Sequence, residues 1–236
     1  MKILGIDGSG LVASVAVVED DNLIGEYTTG YKKTHSQTLL PMLDALGTMI
    51  ELDLNSIDAI AVAAGPGSFT GLRIASATAK GIGLSLGCPI VSVPTVDAIA
   101  FNMWGNSGII CPIMDARRGQ VYTGLYSFSQ DGSFNVLRQQ CAVDFHDIAA
   151  DINARGEAVT FLGDGVPVFK QLIEELITVP YRLAPAHLNR QHASSVATLG
   201  AIYYQNGECD TAADHRPEYL RLSQAERERL EKEGKA

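Results

Sequence analysis

The stretch ILGIDGSGLVASVAVVEDDNLIGEYT, residues 3–28, decides the fold. It holds three short runs rich in apolar and β-branched residues, ILGID (3–7), ASVAVVE (13–19) and NLIGEYT (22–28). Gly8-Ser9-Gly10 and Asp20-Asp21-Asn22 separate them, and these are the residue types that turns require. The pattern predicts an antiparallel three-strand meander before any helix. Thr34 and Gln37 then stand at capping-box spacing ahead of SQTLLPMLDALGTMIEL, a helix with Pro41 in its interior, where a missing N–H predicts a bend. IDAIAVAA (57–64) reads as a buried strand, AGPGSFTGLRIASATAKGIGLSLG (64–87) as a turn feeding a helix, and PIVSV (89–93) as the next strand.

The order βββαβαβ is not that of a dinucleotide-binding fold, in which strands and helices alternate from the start. It is the ribonuclease-H-like half of an actin-like, sugar-kinase-like (ASKHA) α/β fold. Downstream, Thr95 is expected to cap a short helix to Met103. IICPIMDA, QVYTGLYSF and FNVLRQQCAV read as strands, followed by a helix from Asp144, the strand AVTFLG, a helix from Val166 and an apolar helix at ASSVATLGAIYYQ (193–205). Two lobes are therefore expected: residues 1–95 with about 190–236, and a reduced second lobe over 96–190. The tail from Ser223 is expected to form a charged helix, exposed or bound to a partner. No sequence repeat is visible, although the halves can repeat structurally.

The charge of −9 opposes self-sufficient binding to a nucleic-acid backbone. Cys88, Cys111, Cys141 and Cys209 lie far apart with no CxxC pair, so they read as reduced thiols rather than a zinc or redox motif. The apolar run after Met1-Lys2 stops at Asp7, too short for a signal segment, and no later run approaches a membrane span. The expected location is the cytoplasm.

The glycine stretch fits neither phosphate motif. Gly65 and Gly67 have no glycine five residues on, and a G-x-G-x-x-G fingerprint would need glycine where Thr70 stands. The remaining reading of Gly65-Pro66-Gly67 is a tight connection with Ser68 or Thr70 as helix cap. Gly71, Ala75, Ala77, Ala79, Gly81 and Gly83 are small, and a glycine in a helix interior costs about 1 kcal/mol against alanine. Such residues allow close packing. In the preceding helix Leu39, Leu43, Leu46 and Ile50 form one apolar stripe, and Leu40, Met42 and Met49 extend round the other side. Two apolar faces leave two readings: a helix pair buried twice within the chain, or one that also meets another subunit. The second selects Leu39, Met42, Leu43, Leu46, Ile50, Leu72, Ala75, Ala79 and Gly83 as partner-interface candidates.

AGPGSFTGLRIASATAKGIGLSLGCPIVSVPTVDAIA (64–100), MDARRGQVY (114–122), FLGDGV (161–166), the opening ILGIDGS and RPEYLR (216–221) together resemble the TsaB (YeaZ) family over essentially the full length. The motif residues are Gly65, Pro66, Gly67, Ser68, Gly71, Arg73, Asp115, Arg117, Arg118 and Tyr122. The resemblance implies the dimerisation subunit of the bacterial tRNA threonylcarbamoyladenosine machinery. Its implied partners are the catalytic paralogue TsaD, a small TsaE-like ATPase, a second copy when alone, and tRNA only through the complex. The metal-binding His-x-x-x-His pair of that paralogue falls here on Thr95 and Ile99, and isoleucine cannot ligate a metal. No catalytic residue, metal site or cofactor is therefore expected of this chain. The alternative is an autonomous ATP-dependent kinase or transferase of the same fold.

Other groups have two readings each. Asp7 and Ser9, with Gly163, Asp164 and Gly165, are either plain turn chemistry or vestiges of an anion or nucleotide site that binds ATP or ADP weakly or with a partner's help. Asp115, Arg117 and Arg118 are either a salt-bridge network or an anion site. Tyr219 and Leu220 either close the chain's own core or dock a partner. A nuclease site would need further carboxylates, and the strand end Ala63-Ala64-Gly65 contributes none. No GxSxG elbow or HExxH spacing accompanies the histidines, which read as solvated or core residues.

Overall fold

The computed structural model describes residues 1–31 and 34–221. Strands β1 (Lys2–Asp7), β2 (Ala13–Glu19) and β3 (Asn22–Thr29) form the expected meander, pairing Gly5 with Ala16 and Val15 with Tyr27. Helix α1 (His35–Met49) leads to β4 (Ala59–Gly65), α2 (Phe69–Leu86) and β5 (Ile90–Pro94). The parallel β4 and β5 extend the sheet beyond β1, giving the order β3-β2-β1-β4-β5. Helix α3 (Thr95–Phe101) crosses to β6 (Ile109–Asp115), β7 (Gln120–Phe128), β8 (Phe134–Asp144), α4 (Phe145–Arg155), β9 (Val159–Leu162), α5 (Val166–Leu176) and β10 (Tyr181–Leu183). Read from its other edge, the second sheet runs β8-β7-β6-β9-β10 with the same senses, so the second half repeats the topology of the first. This is the actin-like, sugar-kinase-like architecture.

Helices α1 and α2 cover one face of the first sheet, where Leu39, Leu43, Leu46, Ala75 and Ala79 meet Leu4, Ile6, Val15, Ile60 and Val62. Helix α6 (Ala193–Gln205) covers the other with Val196, Ala197 and Leu199. A Cβ on Gly5 would stand 2.3 Å from the Ala193 carbonyl oxygen, so glycine is what lets α6 lie this close. Helices α4 and α5 cover the second sheet around Phe145, Ile148, Phe169 and Ile173.

The seam between the sheets is α3. Val96, Ile99 and Ala100 pack on Ile110, Met114, Tyr126 and Leu162. Within it Asp97 accepts from the Tyr126 hydroxyl at 2.6 Å and from the Tyr203 hydroxyl at 3.5 Å. Burial pushes the Asp97 carboxyl up to about 6, against the pull of the Tyr126 bond.

Three local expectations change. Thr34 holds the N-cap position of α1, but its side chain makes no capping bond and meets the Ser36 hydroxyl instead. Thr95 is inside α3 rather than capping it; Pro94 precedes the helix. Strand β10 was missed because Tyr181-Arg182-Leu183 is three exposed residues, too few to show alternation. The tail helix expected from Ser223 lies outside the described residues. No described helix is long and apolar enough to cross a membrane.

Candidate functional site

The two sheets leave a cleft of about 1100 Å³ between them. Its walls come from the β1–β2 turn (Ser9, Gly10), the start of α1 (His35), the Gly67–Gly71 turn, the β6–β7 turn (Asp115, Arg117), Asp164, the Arg190–His192 segment and residues 218–221.

On the first lobe Asp7 is fully buried behind the turn, while Ser9 lines the cleft. Asp7 Oδ1 accepts from the Ser9 N–H at 2.8 Å and the Ser9 hydroxyl at 2.6 Å; Oδ2 has no partner. Burial pushes this carboxyl up to about 6, with both Ser9 bonds pulling the other way. The Ser9 carbonyl in turn accepts from the Ser68 N–H at 2.6 Å, and a Cβ on Gly67 would stand 2.2 Å from it. Gly65-Pro66-Gly67 is thus a packing turn pressed onto the first loop, and Ser68 caps α2 by accepting from the Gly71 N–H at 3.3 Å.

On the second lobe Gly163 adopts φ +102° and donates to the Asn189 carbonyl, and Gly165 donates to the Ile113 carbonyl. Between them Asp164 Oδ1 is buried without a partner; burial raises this carboxyl, with Arg190 opposing. The fold therefore brings Ser9 and Asp164, 155 positions apart by 164 − 9, onto one cavity. Sequence reasoning missed what surrounds them. Gln191 is buried with neither amide atom bonded, and Arg190 Nη1 and His35 Nδ1 are likewise unpartnered. None of these sits in a local motif, so only the fold reveals them.

The Asp115/Arg117/Arg118 cluster is not a salt-bridge network. Asp115 Oδ1 accepts from the backbone N–H of Arg117 at 2.8 Å, holding a turn in which Arg117 and Arg118 both have positive φ (68° and 57°). Among the described residues neither guanidinium joins an ion pair. Tyr122 lines the cleft.

Thr95 and Ile99, onto which the resemblance lays the paralogue's metal pair, are both buried, Ile99 in the seam. Among the described residues no cluster of histidine, cysteine or carboxylate side chains could hold a metal. His215 is a core histidine: its Nδ1 meets the Ser92 hydroxyl at 2.9 Å and its Nε2 has no partner.

The interface candidates need correction. Leu39, Met42, Leu43, Leu46, Leu72, Ala75, Ala79 and Gly83 are buried inside the chain, and Ile50 packs half-buried against the same core. The richest apolar stripe of an amphipathic helix covers its own sheet first. The large apolar side chains that α1 and α2 leave exposed are Leu40 (56%) and Met49 (83%), on opposite flanks of α1 with Gln37, Asp44 and Thr48 between them, and Leu84 (63%) on α2, near the small Ala77 and Gly81. An added Cβ on Gly81 would meet nothing within 4 Å, so nothing among the described residues requires glycine there.

Over residues 22–229 the chain matches the family model described as TsaD, tRNA N6-adenosine threonylcarbamoyltransferase. It is 35% identical to the tRNA threonylcarbamoyladenosine biosynthesis protein TsaB of Bacillus subtilis, with 98% of this chain and 99% of the relative covered. The protein of the same name from Escherichia coli is 34% identical over 56% of this chain and 58% of its own. Among solved structures, YeaZ from Pseudomonas aeruginosa superposes with a TM-score of 0.79 at 26% identity, covering 93% of this chain and 99% of its own.

Proposed function

The chain belongs to the TsaB family, and on that premise we propose that it is a non-catalytic partner subunit in the formation of tRNA N6-threonylcarbamoyladenosine. The observation that carries this reading is the fate of the transferase's metal pair. A transferase family model runs through most of the chain, and the positions onto which the family resemblance lays the metal ligands hold Thr95 and Ile99, both buried. A hydroxyl sealed in a core and an aliphatic side chain cannot assemble a metal centre. The chemistry then belongs to the paralogue, which moves threonylcarbamoyl to the adenosine next to the anticodon.

The contact this chain offers the paralogue is the outward face of α1 and α2. Leu40, Met49 and Leu84 are large apolar side chains left in water. Burying such a side chain contributes roughly 1.5–3 kcal/mol. Ala77 and Gly81 keep the middle of the face low, so that another helix pair can approach closely. Without the paralogue, the same face pairs two copies of this chain, and the small ATPase joins the assembled pair.

The test is association with the transferase, measured by calorimetry for the wild type and for Leu84→Glu. A charge at the centre of an apolar contact should weaken binding at least tenfold. Unchanged affinity would move the interface elsewhere. A second reading, residual nucleotide binding, is favoured by the unpartnered Asp164, Arg190 and Gln191 atoms in the cleft. Titration with ATP and magnesium, alone and in the complex, decides it; no heat in either would dismiss it.

A further inference from the structure

Four arginines from three parts of the chain gather at and beside the cleft, which Arg117 and Arg221 line. Arg73 on α2 donates its Nε–H to the Tyr219 hydroxyl at 3.2 Å and lies 4.0 Å over the Phe69 ring. Two residues on, Arg221 donates to the carbonyl of Ala116. Ala116 leads directly into Arg117 and Arg118, whose side chains are exposed on the β6–β7 turn. Each contact leaves the positive charge intact, because the acceptors are a phenol, a ring face and a peptide carbonyl. None of the four pairs with a carboxylate among the described residues. The nearby acids keep their charge as well, because Asp115 accepts from a backbone N–H and Glu218 from the Gln140 amide at 3.1 Å; the patch is mixed, with arginine in excess.

In a chain of net charge −9, four neighbouring guanidinium groups with no ion pair among the described residues call for an explanation. Of the other described arginines, Arg138 and Arg155 both bond Asp151, whereas Arg182, Arg190 and Arg216 also join no ion pair; what sets the four apart is that they lie close to one another. We propose that the cleft mouth formed by Arg73, Arg117, Arg118 and Arg221, with the Phe69 and Tyr219 rings between them, is an RNA-contacting surface of this chain. All four cations are arginine, whose planar fork matches phosphate and carboxylate alike. What favours RNA over an acidic protein is the Tyr219 ring, 40% exposed beside Phe69 at 4.8 Å, on which a base can stack, while Arg73 already covers Phe69. The net −9 of the whole chain makes the contact local, so RNA is held here only as part of a larger surface. The identity of the RNA as tRNA rests on the function proposed above; the geometry does not.

The test measures tRNA binding by the complex of this chain with the transferase as a function of salt, for wild type and the Arg117→Gln/Arg118→Gln double variant. Assembly of the complex is followed separately by gel filtration. Both residues are exposed, and melting curves check that the fold is kept. Each phosphate contact contributes about 0.7–0.9 to the slope of log affinity on log salt, so the double variant should lower that slope by roughly 1.4–1.8. Lys170→Gln, which removes an ion-paired surface cation on α5, should leave it unchanged. An unaltered slope with assembly intact overturns the proposal. So does weakened assembly with unaltered tRNA affinity, which would assign the surface to an acidic protein. If no complex forms, the function proposed above fails instead. The chain alone at low salt then decides the RNA surface: tRNA binding that falls in the double variant supports it, and no binding overturns it.

Discussion

The backbone N–H of Glu218 donates to the carbonyl oxygen of Ala64 at 2.7 Å, which brings the end of the described chain against the last residues of strand β4. The Glu218 carboxylate accepts from Gln140 on β8, and Arg221 reaches Ala116 in the second lobe. Residues 216–221 therefore fasten one lobe to the other beside the cleft. Gly65 makes this approach possible: its φ is +126°, and a Cβ there would stand 2.1 Å from the Glu218 carbonyl oxygen. Gly65→Ala should cost on the order of 1–3 kcal/mol for the backbone conformation alone. It should also expose the terminal segment to protease. Urea melts and limited proteolysis test this, and unchanged values for both would count against the strap.

Gly81 separates stability from association. With open space around it and a helical backbone, Gly81→Ala should raise stability by about 0.5–1 kcal/mol. Gly81→Leu should leave the free chain folded and weaken its binding to the transferase. A leucine that binds normally would show that no partner approaches this face closely.

Asp7 gives a stability signature in pH. Its folded carboxyl sits at about 6 against an ordinary 3.8, so the folded protein holds the proton more tightly than the unfolded chain. That contribution is fully present below the ordinary value and is lost as pH rises through about 6. The difference of about two units corresponds to about 3 kcal/mol at most. Asp7→Asn keeps an oxygen for Ser9 and cannot ionise. Its stability relative to the wild type should therefore improve from about pH 4 to about pH 7, and parallel profiles would refute the assignment.

The Tyr126–Asp97 bond predicts the opposite trend at the seam. Tyr126→Phe removes the donor that favours the ionised carboxylate, and a hydrogen bond to a charged group contributes about 1.5–3 kcal/mol. Because the folded carboxyl of Asp97 titrates near 6, the loss should be largest above that pH and shrink below it, where the acid is neutral. A penalty independent of pH would mean that Asp97 does not ionise in this range.

Much of the fold is legible in the sequence because its turns carry glycine and aspartate and its central strands are short, continuous apolar runs. The β1–β3 meander and α6 fall where the pattern puts them. What the sequence could not settle was which face of a helix looks inward. Leu39 and Leu43 are apolar at helical spacing, and Leu40 and Met49 are apolar too, but only packing against Ile6 and Val62 decides that the first pair is core. The site was less legible still. Ser9 and Asp164 sit in recognisable turns, whereas Gln191 and His35 carry no local signal and reach the cleft only through tertiary packing. The four arginines come together for the same reason: three elements far apart in the chain end at one point.

The most direct measurement is reconstituted threonylcarbamoyl transfer to tRNA from threonine, bicarbonate and ATP, with the full set of proteins and with either this chain or the transferase left out. Modified tRNA should appear only when both are present, and never from this chain without the transferase. Product formed by this chain in the absence of its paralogue would contradict the account and mean that the cleft is itself an active site.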